Sequence, residues 1–150
     1  RTSGGVRGLK LAAGDQLAGM DVVEPEGQLL VVTEFGMGKR TMLKHYSPHG
    51  RGTGGQRILN ITKKTGRVAS VQVVHGDEEL MMISSSGIVI RTELATINKL
   101  GPYAQGVIVM NLKESDRVAC IAVLSQNGNG EDHADLVAST PSKNGKNGVE

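Results

Sequence analysis

Arginine and lysine are the residues of this sequence whose types and spacing suggest a specific chemistry. The stretch "EFGMGKRT" (34–41) returns fifty-one residues later as "SSGIVIRT" (85–92), so Arg40 and Arg91 occupy equivalent places. Guanidinium and ammonium groups bind phosphate oxygens, and each neutralised phosphate releases counterions. A cation at the same position of successive repeats would become a row of cations. Such a row would match a polyanion whose phosphates are regularly spaced.

The basic charge is concentrated in the first half of the chain. The net charge of +2 divides into eleven Lys/Arg against five Asp/Glu in residues 1–75, four against six in residues 76–125, and two against four in residues 126–150. A basic region of this kind is the electrostatic footprint of a polyanion binder. Taken alone, the charge would also fit an ordinary solvated surface.

The composition limits the chemistry that the chain can carry out. The single cysteine, Cys120, excludes an internal disulfide, which is typical of a reducing cytoplasm. No apolar run reaches the roughly 18 residues of a membrane span, so no membrane partner is expected. Neither a P-loop nor a pair of catalytic carboxylates is found. The chain is therefore expected to be non-catalytic and to hold no cofactor or metal, and its start at Arg1 indicates a piece of a longer protein.

Internal repeats organise the sequence. Gly5, Gly55 and Gly106 align at steps of 50 and 51, and the apolar runs "LAGMDVV", "VASVQVV" and "VACIAVL" align in the same way. A period near fifty that holds through several blocks is typical of propeller-type repeats. The repeats cover residues about 1–50, about 51–101 and, as a front half, 102–125.

Each repeat is predicted to be a blade of four antiparallel strands. Its apolar runs are short, rich in Val, Ile and Leu, and separated by turn signals, which predicts strands rather than helices. Gly36 and Gly87 are predicted to close tight turns, and the runs "LLVV" and "LMMI" to be buried on both faces. The fold class is all-β, a β-propeller or β-pinwheel with about two and a half repeats. The predicted strands are 6–11, 17–23, 28–34, 38–44, 57–61, 67–74, 79–84, 88–94, 106–112 and 117–124.

The candidate binding residues are cations of the first repeat and the start of the second, together with the second copy of the Arg-Thr pair. On a curved rim they would contact duplex phosphates, which gives affinity without reading bases. Because the chain has two Tyr, one Phe and no Trp, base stacking on single strands is not expected. Taken singly, each cation could be a solvated charge that protects an edge strand. The candidates are Arg7, Lys10, Lys39, Arg40, Lys44, Arg51, Arg57, Lys63, Lys64 and Arg91.

Three other groups could carry chemistry but are better explained structurally. Cys120 lies in an apolar strand, where it is expected to be a small core residue rather than a nucleophile. His45 and His49 are four residues apart in a Pro-containing loop without neighbouring ligands, which argues against a metal site. The acidic run 77–79 precedes "LMMI" and is interpreted as a charged hairpin.

Four blocks resemble the C-terminal domain family of the DNA gyrase A subunit. They are "GGVRGLKLAAGD", "LLVVTEFGMGKRT", "DEELMMISSSGIVIRTE" and "QGVIVMNL", in the family's order, and the resemblance runs over about residues 1–125. It implies a β-pinwheel whose basic rim wraps duplex DNA with little sequence preference. It also implies partners, namely the rest of the gyrase A subunit together with the gyrase B subunit in a heterotetramer, and ATP and Mg²⁺ in the full complex that adds negative supercoils. The related domain of topoisomerase IV is the close alternative.

The resemblance bears on single residues only where the motif matches. The stretches "VRG" (6–8) and "GKRT" (38–41) match blade motifs of the family, which implies that Arg7, Lys39 and Arg40 face DNA, with Arg91 as the second copy. In the third copy Pro102 stands where the family usually has arginine. The stretch "GRGTGGQR" (50–57) is a degenerate relative of the family's hallmark box.

The last segment, 126–150, differs in composition from the repeats. It is rich in Asn, Gly and Ser and has little to bury, so it is predicted to be a disordered tail. The family implies a cytoplasmic, nucleoid-associated location. A propeller-like protein-interaction scaffold without DNA wrapping remains the alternative function.

Overall fold

The fold is built almost entirely from β-strands. The structure is a computed structural model and describes residues 4–125 and Val137–Ala138. Two short 3₁₀ helices, Leu43–His45 and Leu94–Thr96, follow two of the strands, and the described residues contain no α-helix. The all-β fold class is confirmed. The strands are β1 (Gln28–Thr33), β2 (Met37–Met42), β3 (Val68–Val74), β4 (Glu79–Ser84), β5 (Val89–Glu93), β6 (Val107–Ile108), β7 (Val118–Leu124) and β8 (Val137–Ala138).

Two antiparallel hairpins form the centres of two sheets. β1 pairs with β2, and β4 pairs with β5. Gly36 and Gly87 occupy the turns with φ angles of 78° and 86°, and the amide of each donates to the carbonyl three residues earlier, at Thr33 and Ser84. Positive φ costs glycine little, which explains why both copies keep it. The two predicted hairpins are confirmed.

Each hairpin is completed by strands that come from later parts of the chain. The first sheet has the order β3-β1-β2-β6, and the second has the order β5-β4-β7-β8. All of these pairs are antiparallel. A blade is therefore shared between repeats and is not the four consecutive strands of one repeat that the sequence pattern predicted.

The structure lacks three of the predicted strands among the described residues, namely 6–11, 17–23 and 57–61. The predicted strand 106–112 is present only as the two-residue strand β6. The segment 17–23 is the repeat counterpart of β3 and β7, which gain their hydrogen bonds from β1 and β4. No hairpin lies beside 17–23 among the described residues, and Met20 there is 88% exposed. The segment has strand composition but lacks the partner that a strand requires.

The core lies between the two sheets. The run "LLVV" is buried as predicted at Leu30, Val31 and Val32, each with no exposed surface. In "LMMI" only Leu80 and Met82 are buried, because the other two side chains point to the less covered face of the second sheet. The core cluster comprises Leu30, Val32, Val74, Leu80, Met82, Leu94, Ile97, Met110, Val118 and Ile121.

The turns of the two hairpins are held by residues of the following repeats. Arg117 lies over the ring of Phe35 at 4.3 Å, and the amide of Val118 donates to the carbonyl of Glu34. On the second hairpin, the buried carboxylate of Asp116 accepts hydrogen bonds from the hydroxyl of Ser85 (2.7 Å) and the amide of Ser86 (3.0 Å). Hydrogen bonds from the serine hydroxyls of this turn hold the pKa of Asp116 well below its usual range.

The tail contributes one short strand, β8, which pairs with Cys120 and Ile121 of β7. The rest of the predicted disordered tail lies outside the described residues. Within the described part of the chain, no helix has the length and apolar character needed to cross a membrane.

Candidate nucleic-acid interface

The exposed candidate cations other than Arg91 lie at the two ends of the first sheet. Gln28 pairs with both Met42 and Val74, so these three residues define one end, called here the loop end because the long loop 43–57 leaves from it. The opposite end holds the turn at Gly36 and is called the hairpin end. At about 3.3 Å per residue, the two ends of a six-residue strand are roughly 17 Å apart.

The loop 43–57 lies against the segment 7–10. The amide of Gly52 donates to the carbonyl of Gly8, and the amide of Lys10 donates to the carbonyl of Thr53, each at 2.9 Å. This short parallel contact places Arg7 and Lys10 beside the loop that carries Arg51. The exposed cations of the two segments form the loop-end group, defined as Arg7, Lys10, Lys44, Arg51 and Arg57.

The loop has a defined shape because Gln56 clamps it. Its side-chain oxygen accepts from the amide of Ser47, and its side-chain nitrogen donates to the carbonyl of Ser47, both at 3.3 Å. The same nitrogen lies 2.6 Å from Nε2 of His49. Because the amide nitrogen can only donate, this contact requires His49 Nε2 to accept, so His49 helps to hold the shape of the loop.

Lys39 does not face solvent, so the predicted rim position of this residue is wrong. Its side chain has no exposed surface, and Nζ donates to the carbonyls of Gly101 and Pro102 at 2.8 Å each. Burial lowers the pKa of Lys39. The ammonium connects the first hairpin to the start of the third repeat.

Arg40 is likewise not the exposed rim cation that the sequence predicted, since this side chain is only 4% exposed and lines a cleft instead. Nε donates to the carbonyl of Ile97 (2.8 Å), Nη2 to that of Ala95 (3.0 Å) and Nη1 to Oε1 of Gln28 (3.1 Å). The hydroxyl of Thr41 donates to the carbonyl of Leu100. The Lys-Arg-Thr run of the first hairpin therefore contacts the connection between the second and third repeats.

The second copy of the pair has a different environment. Arg91 is 62% exposed and forms an ion pair and a hydrogen bond with Glu79 on the neighbouring strand. No segment equivalent to 95–102 covers it among the described residues. Arg40 and Arg91 therefore do not form the predicted row of exposed cations.

Lys63 and Lys64 are exposed, but they lie at the hairpin end. They occupy a turn that Thr62 and Thr65 close with hydrogen bonds, just before β3 begins at Val68. The predicted set thus separates into the loop-end group, two hairpin-end lysines, two buried side chains and one ion-paired arginine.

The groups that sequence reasoning set aside have structural roles. Cys120 is half-buried in β7, and Glu78 of the acidic run accepts hydrogen bonds from the amides of His75 (2.8 Å) and Gly76 (2.6 Å). In the part of the chain that the structure describes, no three His, Cys, Asp or Glu side chains are grouped to hold a metal ion.

The sequence pattern missed a cleft at the loop end, with a cavity volume of about 410 Å³. It is lined by Arg40, His75, Gly76, Ala95, Ile97, Asn98 and Lys99. Lys99 is exposed and was not among the candidates. The repeat comparison gave no signal for it, because the residue fifty-one positions earlier is Pro48.

Shared blades and a basic group at one end define a propeller-type repeat domain with a cationic surface. The family model for the DNA gyrase C-terminal domain, described as a beta-propeller, matches residues 1–24, 27–75 and 78–125. The chain belongs to this family, as the sequence resemblance indicated.

Individual relatives agree with the family. The chain is 38% identical over 128 residues to the DNA gyrase A subunit of Staphylococcus epidermidis, and the match covers 84% of this chain and 14% of that relative. The solved structure of a DNA gyrase A C-terminal domain matches with a TM-score of 0.75 at 30% identity, over 81% of this chain and 41% of that one. The C-terminal domain of a DNA topoisomerase IV matches with a TM-score of 0.60 at 30% identity, over 67% of this chain and 30% of that one.

Proposed function

We propose that the chain binds and wraps duplex DNA as part of the A subunit of a DNA gyrase. The observation that supports this most directly is the loop-end group, in which five exposed cations are brought together by the contact between loop 43–57 and segment 7–10. Arg and Lys side chains on a defined loop can neutralise successive phosphates of a duplex backbone.

The binding is proposed to be indifferent to sequence. Of the three aromatic side chains, Phe35 lies under Arg117 and Tyr46 is half-buried, which leaves Tyr103 as the exposed one. Few aromatic side chains are therefore available to stack on unpaired bases. Phosphate contacts fix the position of a duplex without reading its bases.

The remaining partners are proposed from the family. The chain spans 14% of the Staphylococcus epidermidis relative, so the cleavage chemistry, ATP and Mg²⁺ are assigned to other parts of a complex of the gyrase A and B subunits. The proposed location is the nucleoid in the cytoplasm. The wrapped duplex would support ATP-dependent negative supercoiling by that complex.

The exposed apolar segment 17–23 favours a second, protein-binding role. Met20, Val22 and Val23 are largely exposed, and their counterparts in β3 and β7 pair with hairpins. We propose that a further repeat of the same type covers this segment. This role adds to DNA binding and does not replace it.

Binding of the 150-residue chain to a random-sequence duplex of about 40 base pairs, titrated over salt from about 50 to about 200 mM, tests the proposal. Donor and acceptor dyes at the duplex ends report wrapping in the same titration. We expect steeply salt-dependent binding, the same for unrelated sequences, with the ends brought closer. Absence of binding at the lowest salt, by a chain whose circular dichroism shows a folded β-structure, would contradict it.

A further inference from the structure

The cleft at the loop end lies where the first two repeats meet. Arg40 belongs to the first hairpin, whereas His75, Gly76 and Lys99 belong to the second repeat. Its volume of about 410 Å³ admits a phosphate group together with water, and the cleft is open to solvent. A ligand bound there would contact both repeats.

Arg40 supplies a buried cation with unused donors. A guanidinium has five N–H bonds, and three of them are directed at Ile97, Ala95 and Gln28. Among the described residues no carboxylate lies within ion-pair distance of Arg40. Burial lowers the pKa of Arg40, whereas the charge of Glu78 acts in the opposite direction. A buried charge with no counter-charge in contact is costly, so an anion in the cleft would stabilise this arrangement.

Lys99 adds a second cation with no acidic partner among the described residues. The ring of His75 is already engaged, since Nε2 lies 2.9 Å from a carboxylate oxygen of Glu24. Glu78 is the acid whose charge acts on the guanidinium, and its oxygens accept hydrogen bonds from the amides of His75 and Gly76. These hydrogen bonds satisfy the acid on its own loop and leave Arg40 and Lys99 to face a ligand.

We propose that this cleft binds a phosphate group between the guanidinium of Arg40 and the ammonium of Lys99. The group can be a backbone phosphate of duplex DNA, in which case the site extends the loop-end group and rests on the proposed function. It can also be free inorganic phosphate, in which case the anion stabilises the contact between the two repeats. Both sources present the same phosphate chemistry, but a DNA phosphate in the cleft would affect duplex binding, whereas free phosphate would affect only the thermal stability of the chain.

The test compares Lys99→Gln with Lys113→Gln, which alters an exposed lysine that does not line the cleft. Thermal unfolding is followed in inorganic phosphate and in chloride at equal ionic strength. We expect phosphate to raise Tm of the parent chain and of Lys113→Gln, and to raise that of Lys99→Gln much less. Since both changed side chains are exposed, the variants are expected to fold alike in chloride.

Duplex binding separates the two sources of phosphate. If a DNA phosphate occupies the cleft, Lys99→Gln makes the slope of log K against log salt less negative by about 0.9, and inorganic phosphate competes with the duplex. If free phosphate is the ligand, duplex binding stays unchanged while the rise in Tm is lost. If no duplex binds but the phosphate effect persists, the proposed function fails and the site stands. Equal Tm in phosphate and chloride, with Lys99→Gln matching Lys113→Gln in duplex binding, would overturn the site.

Discussion

Neutralising Arg51 and Arg57 together should flatten the salt dependence of duplex binding. Both side chains are exposed, and neither forms a hydrogen bond or an ion pair among the described residues, so Arg51→Gln with Arg57→Gln removes charge without disturbing the fold. The five cations of the loop-end group, each neutralising one phosphate, give a slope of log K against log salt of about −4.5. With three left, the slope becomes about −2.7.

These slopes translate into a large difference in measured affinity. Between about 50 and about 200 mM salt the parent chain should lose roughly 500-fold in affinity, and the double variant roughly 40-fold. Fluorescence anisotropy of a labelled duplex at four or five salt concentrations measures both slopes. Circular dichroism of the free chains checks that the two proteins are equally folded.

The matched control removes the same charge at the other end of the sheet. Lys63→Gln with Lys64→Gln changes two exposed lysines at the hairpin end, which lies roughly 17 Å from the loop end. We expect the slope of this variant to match that of the parent chain. The reasoning is refuted if both double variants flatten the slope equally, because the affinity would then follow net charge and not the loop-end group.

Three further changes test the contacts that hold the repeats together. Lys39→Met should cost roughly 2–4 kcal/mol in the free energy of unfolding measured with urea, because the partly buried carbonyls of Gly101 and Pro102 lose the donor that they share; a cost within about 0.5 kcal/mol would show that the ammonium is dispensable. Gly36→Ala should lower Tm, because alanine must adopt a φ angle near 78°, while Gly50→Ala, at an exposed loop position that has room for a methyl group, should not. Asp116→Asn should lower Tm at neutral pH. Because the folded-state pKa of Asp116 is depressed, the carboxylate stabilises the fold above the ordinary pKa of about 3.9, and this stabilisation is lost as the pH falls below it. The Tm difference between variant and parent should therefore shrink from about pH 5 to about pH 2, and a constant difference would contradict this.

Local signals in the sequence predicted the hairpins but not the pairing between repeats. Gly36 and Gly87 and the apolar runs that flank them are close in the chain, so turn geometry and strand composition define β1–β2 and β4–β5. The pairing of β1 with β3 joins segments about forty residues apart, and nothing in either segment specifies the other. Two of the segments predicted as strands from composition, 6–11 and 17–23, do not join a sheet among the described residues: the first forms only an isolated bridge with Thr53 and the second forms no strand.

The candidate site was predicted in part. Charge indicated basic loops, and the loop-end group consists of side chains that were named from the sequence, while their contact with DNA stays a prediction. Lys39 and Arg40 were assigned to the rim because they lie in the repeated Arg-Thr block and in a motif that matches the family. Their burial depends on the carbonyls of residues 95–102, which lie more than fifty residues away in the chain. Lys99 was missed because it has no counterpart in the first repeat.

Amide hydrogen exchange of the chain with and without a saturating duplex tests the central claim most directly. The claim is that duplex DNA contacts the loop-end group. We expect the duplex to slow exchange in residues 44–57 and 7–10 and to leave the turn at Thr62–Thr65 unchanged. Slower exchange confined to the hairpin end, with 44–57 unaffected by the duplex, would contradict the account.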